Sequence, residues 1–144
     1  MRIHTARKYL IAGLLLLTVG QALWIFIADS KPVLSKIVSI TPIGKHSAVY
    51  EVLSDAGGAT VPLIYLYFIA EQTEHDDQVL PGLERLVPFL VSRQSGAVKG
   101  VHGLKVTART QEQVYSYSST TVLREDGVAL PVTIELTATT RQDP

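Results

Sequence analysis

The sequence predicts an α+β protein: one N-terminal transmembrane helix followed by a small antiparallel β-sheet domain with one short helix. Three observations predict it. Tyr9 to Ala28 reads YLIAGLLLLTVGQALWIFIA, twenty residues without a charge. Beyond residue 36, several runs alternate apolar with polar residues between turn-forming Gly, Pro and Asp, the period of half-buried strands. Only one later segment, Pro81 to Ser92, places apolar residues at helical spacing. The organisation expected is a basic leader over 1–8, a membrane helix over 9–28, a tether over 29–36, a β-rich outer domain over 37–140 and a frayed tail over 141–144.

The leader holds Arg2, Arg7 and Lys8 and no acid, which favours keeping that end in the cytoplasm. At 1.5 Å per residue the apolar run spans about 30 Å, the depth of a bilayer's hydrocarbon core. Gly20-Gln21-Ala22 has the small outer residues of a signal-peptide cleavage site, yet Leu23 to Ile27 carries the apolar run beyond it. A retained anchor is the better reading. Trp24 suits the water–lipid boundary. The expectation is therefore a single-pass protein of the inner (plasma) membrane, with the bilayer as one partner and the C-terminal domain periplasmic or extracellular.

In the outer domain, Ile37-Val38-Ser39-Ile40 reads as a short strand stopped by Thr41-Pro42-Ile43-Gly44. His46 to Leu53 follows as a strand with Ala48, Tyr50 and Val52 on one side. Asp55-Ala56-Gly57-Gly58 turns the chain, and Ala59 to Ala70 returns as its hairpin partner. The return run is apolar on both faces, which predicts a strand covered on both sides. Glu71 to Asp77 reads as a solvated acidic loop. Leu83, Leu86, Val87 and Leu90 form one helical stripe, which Pro88 should kink or end; this helix is the natural cover for the sheet. Ser95-Gly96 and Gly100 to Gly103 punctuate a loop. Strands then follow from Leu104 to Arg109, from Val114 to Leu123 and from Val128 to Leu136. An even-numbered loop at Arg124-Glu125-Asp126-Gly127 would pair odd with even residues, bringing Tyr115, Tyr117 and Leu123 to the face of Ile134 and Leu136.

Composition narrows the chemistry. The chain has 13 basic and 13 acidic residues; beyond the leader, ten basic residues stand against thirteen acidic ones, a net charge of −3. Such a domain has no electrostatic footprint for nucleic acid. With no cysteine, the fold rests on its core alone, and neither a disulfide nor a lipid-modified thiol is available. Glu71, Glu74, His75, Asp76 and Asp77 offer metal donors, but in neither the EF-hand nor the HExxH pattern, so a solvated surface is the simpler reading and no cofactor is expected. No GxSxG or SxxK motif surrounds a serine. His46, His75 and His102 sit in or beside turns, and Glu84-Arg85 reads as the polar side of the short helix.

Thr41-Pro42-Ile43-Gly44-Lys45, Val49-Tyr50-Glu51 and Gly57-Gly58-Ala59-Thr60 together resemble a pattern of small, uncharacterised bacterial envelope proteins with one N-terminal membrane span and a compact β-rich domain. The resemblance covers roughly residues 38–70 and rests on short turn signatures. The chain departs from it where the pattern has serine before the proline and a second threonine after Thr60. It implies a fold and a setting and transfers no catalytic residue.

The expected function is accordingly a membrane-anchored, non-enzymatic envelope protein whose outer β domain binds another protein, in assembly, regulation or toxin immunity. The alternative is a periplasmic domain that binds lipid or a small molecule. Tyr65, Tyr67, Tyr115 and Tyr117 are the candidate partner or ligand surface, against the plainer reading that aromatics fill the core.

Overall fold

The computed structural model describes residues 2–27, 32–55, 62–73 and 76–139. The chain divides into two compact units, Met1–Lys31 and Pro32–Pro144.

The first unit is helix α1 (Arg2–Ile27). Its apolar residues fall on every side, and side chains from Tyr9 to Trp24 stand exposed. Among the described residues no helix is long and apolar enough to cross a membrane. This overturns the expected transmembrane helix over 9–28, and with it the single-pass inner-membrane placement and the orientation drawn from the basic leader. Ala28 and residues 29–31 of the expected tether lie outside the described residues.

Among its described residues the second unit has nine strands and one helix: β1 (Leu34–Ile43), β2 (Ser47–Ser54), β3 (Ile64–Glu71), α2 (Asp76–Leu83), β4 (Leu90–Ser92), β5 (Val98–His102), β6 (Lys105–Thr110), β7 (Val114–Tyr117), β8 (Thr120–Glu125) and β9 (Val128–Ala138). They build two sheets, in the orders β1-β2-β3-β4-β7 and β5-β6-β9-β8. The single antiparallel sheet of the sequence reading is corrected on both counts. There are two sheets, and β6 runs parallel to β9, with Val106 opposite Ile134 and Ala108 opposite Leu136. A parallel pair needs a long crossover, which here is the chain through β7 and β8.

Alternation explains the layers. Val49, Tyr67, Ile69, Leu90, Val106, Ala108, Leu123, Val132 and Ile134 share one buried cluster, drawn from both sheets. Ala48, Tyr50, Val52, Leu66 and Phe68 point the other way and meet Val79 and Leu83 of α2 in a second cluster. The five-stranded sheet is thus buried on both faces, as the doubly apolar run 62–70 requires. The β2–β3 hairpin has the expected antiparallel register, with Tyr50 opposite Phe68 and Val52 opposite Leu66. Its turn at Ala56-Gly57-Gly58, together with Ala59, Thr60 and Val61, lies outside the described residues.

Several boundaries differ for physical reasons. Thr41-Pro42-Ile43 does not stop the first strand but completes it, with Pro42 opposite Ala48; β1 is an edge strand, where a missing N–H costs no ladder bond. The covering helix is Asp76–Leu83, not 81–92. The chain bends after Leu83, and Phe89 and Leu90 enter the inter-sheet core instead. Asp76 and Asp77 therefore belong to a helix rather than the acidic loop, of which Glu74 and His75 lie outside the described residues. Gly100 to His102 is strand, not loop. The run from Val114 to Leu123 is two strands in different sheets, broken at Ser118-Ser119. Leu123 reaches the core with Ile134 as expected, whereas Tyr115 and Tyr117 go to the edge of the other sheet.

Candidate functional site

Glu51 is the least expected residue of the core. Alternation along β2 puts it on the inter-sheet face with Val49, and it is 3% exposed. A buried carboxylate is costly unless hydrogen bonds replace its water, and here three donors do so. The Ser39 hydroxyl, opposite on β1, donates to Oε2 at 2.9 Å. The Ser95 hydroxyl donates to Oε1 at 2.7 Å and the Gly96 N–H to the same oxygen at 2.8 Å. Gly96 holds φ at +66°, which glycine adopts without strain, and that turn aims its N–H inward.

Tyr67, directly opposite Glu51 on β3, works on the same turn. Its hydroxyl donates to the Gln94 carbonyl at 2.7 Å and accepts from the Ala97 N–H at 3.0 Å. Its ring packs against Phe89 with centroids 6.3 Å apart. Burial, reinforced by the neighbouring Glu51 carboxylate and only partly offset by the Ala97 N–H, holds the phenol protonated far above the usual tyrosine range. The turn 94–97 is thereby fixed from beneath by a carboxylate and a phenol.

Outside this turn lies an open groove of about 510 Å³. Leu63 and Tyr65 supply its apolar lining, and Arg93, Gln94, Gln111 and Glu112 the polar lining. The corner at 110–112 is tied down as well. Gln94 Oε1 accepts from the Gln111 N–H at 2.6 Å, and the Thr110 hydroxyl accepts from the Glu112 N–H at 3.1 Å. Thr110 and Ser92 hydroxyls meet at 3.3 Å in the interior. A second cavity of about 400 Å³ shares Gln111 and Glu112 and continues past Val114 to Ala138 and Thr139.

A separate cradle lies at the β1–β2 turn. Lys45 and His46 N–H groups both donate to Glu125 Oε1, at 2.5 and 3.1 Å. These bonds hold the Glu125 carboxyl below its ordinary range, and they tie the first sheet's turn to β8 of the second sheet.

The four tyrosines singled out by sequence do not form one surface. Tyr65 is half-buried and lines the groove; Tyr67 is 0% exposed and belongs to the core. Tyr115 and Tyr117 are exposed on β7, where the Tyr117 hydroxyl donates to the Ile134 carbonyl at 2.6 Å. The expected helix-borne pair Glu84-Arg85 follows α2 in an exposed turn. His46 sits in the β1–β2 turn and His102 ends β5, and no group of metal-ligating residues assembles among the described residues.

Sequence reasoning missed Glu51, Arg93, Gln94 and Gln111. For Glu51 a signal existed: a lone acid inside an apolar strand, on the face shared by Val49. Nothing local marks the other three, which meet only through the pairing of β3, β4 and the 110–112 corner. No protein-family model matches the chain, and no match to it was found among the curated proteins or the solved structures.

Proposed function

We propose that the β unit is a non-enzymatic binding module that docks another protein at the groove beside Tyr65. The observation that carries this reading is the rigidity of the groove's wall. Glu51 and Tyr67 spend a buried carboxylate and a buried phenol on holding the turn 94–97, and a preformed wall reduces the ordering cost of binding. The groove is open and largely polar in its lining, which suits a protein surface better than a lipid chain. The lipid or small-molecule alternative asks the tyrosines to line a pocket, yet Tyr67 is packed against Phe89 with its hydroxyl doubly hydrogen-bonded.

Photo-crosslinking tests the proposal. A benzophenone amino acid at Gln111 should yield a discrete protein adduct in the native cell, whereas the same probe at Thr133, on the exposed face of β9, should not. Abundant, folded protein that gives no adduct at Gln111 would count against a docking role.

A further inference from the structure

Building on that reading, we infer that the groove takes an extended peptide segment of the partner carrying a single acidic side chain. Shape is the first argument. The two cavities adjoin at Gln111 and Glu112, and their linings together reach from Leu63 to Thr139. A compact small molecule fills one pocket of a few hundred Å³; an extended chain, advancing about 3.3 Å per residue, runs along both.

Chemistry is the second argument. Arg93 makes no ion pair among the described residues, so its guanidinium is available for a carboxylate, which it can grip with two parallel hydrogen bonds. Gln94 uses Oε1 on the Gln111 N–H, leaving its Nε2 group to donate to a peptide carbonyl. The Gln111 side chain, whose own backbone N–H is already satisfied, offers both a donor and an acceptor, the complement of a peptide group. Leu63 and Tyr65 accept an apolar side chain next to the acid. Glu112 limits the charge, because a second acid on the ligand would meet a carboxylate at the junction of the two cavities. Glu51 is a positioning residue in this scheme. It touches no ligand but holds Ser95 and Gly96, the residues that follow Gln94 in the turn.

A phage-displayed library of random dodecapeptides, panned against the full chain in mild detergent, tests this directly. The expected result is a consensus with one acidic residue flanked by an apolar one. By fluorescence anisotropy, Arg93→Glu should weaken the consensus peptide at least tenfold, and a lysine-for-acid peptide should recover that affinity on the same variant. Arg109→Glu, on the exposed face of β6, should leave binding unchanged. Glu51→Gln should weaken the peptide several-fold with its circular dichroism intact. Enrichment of no consensus, or of one indifferent to Arg93→Glu, overturns the inference. If Gln111 then still crosslinks a protein, the partner docks as a folded surface and the binding-module reading survives alone. If peptides enrich but Gln111 crosslinks nothing in the cell, the groove's chemistry stands and the docking role falls.

Discussion

Glu51 shows how much one side chain can commit. Its carboxylate joins β1, β2 and the turn 94–97 through the Ser39, Ser95 and Gly96 donors. Removing the acceptor leaves those donors to find water or none, and each stranded donor costs about 1–3 kcal/mol. Glu51→Ala should therefore destabilise the protein by about 3 kcal/mol in urea unfolding. Glu51→Gln, which keeps one oxygen in place, should cost about 1 kcal/mol. Equal losses for both variants would mean that charge and not hydrogen bonding holds the turn.

Gly44 is constrained for a different reason. Its φ of +68° is strained for any residue with a side chain, and an added Cβ would fall on the Glu125 carboxylate. Gly44→Ala should cost about 1–2 kcal/mol from the backbone alone, plus the displaced carboxylate. Glu125 also carries a pH signature. Its folded-state pKa lies below the unfolded value, so its contribution is complete above the unfolded pKa and is lost as pH falls through the folded one. Urea midpoints followed from neutral to acid pH should fall less steeply for Glu125→Gln than for the parent. The group is exposed, so the difference should be small and should shrink with added salt.

At the level of elements, the β8–β9 hairpin turns on Asp126 and Gly127, with φ of 49° and 77°. Two successive positive values mark a type I′ turn, whose twist matches the strands it joins. Gly127→Val should therefore lower the thermal midpoint even though open space surrounds that position, because the strain lies in the backbone. Asp126→Asn should be neutral or slightly stabilising. A midpoint unchanged by Gly127→Val would show that the turn relaxes at no cost. The turn's place at 124–127 was legible in the sequence, and with an even-numbered loop there the parity that sends Leu123 to the face of Ile134; its two-residue length was left open between two and four. The β2–β3 hairpin was legible too, because both its faces are apolar. The break at Ser118-Ser119 was not. Val114 to Leu123 has strand composition throughout, and only tertiary pairing assigns its halves to different sheets. The covering helix was misplaced for a related reason. Leu83, Leu86, Val87 and Leu90 have helical spacing, but Leu90 is worth more between the sheets than on a helix that Pro88 would break. The groove was the least legible feature, since its polar lining comes from separate turns with no shared sequence signal.

The whole molecule divides where its cores end. Both hydrophobic clusters are drawn from residues between Leu34 and Leu136, so the unit Pro32–Pro144 holds every packed contact it needs. Helix α1 instead exposes apolar side chains all round, with Leu16 77% and Trp24 78% accessible, a surface that calls for a cover of its own. A chain beginning at Pro32 should then unfold cooperatively in urea, with a midpoint close to that of the full-length protein. The sequence supplies a convenient pair of probes. Trp24 is the chain's one tryptophan, while Tyr9 is the only one of six tyrosines outside the β unit. In the full chain, tryptophan fluorescence should report the helix, and near-ultraviolet circular dichroism of the tyrosines should report the sheets. Non-coincident transitions are expected from two units that fold separately. Coincident transitions, or a truncated chain without a cooperative unfolding step, would mean that the sheets draw stability from α1, and the division into independent units would have to be abandoned.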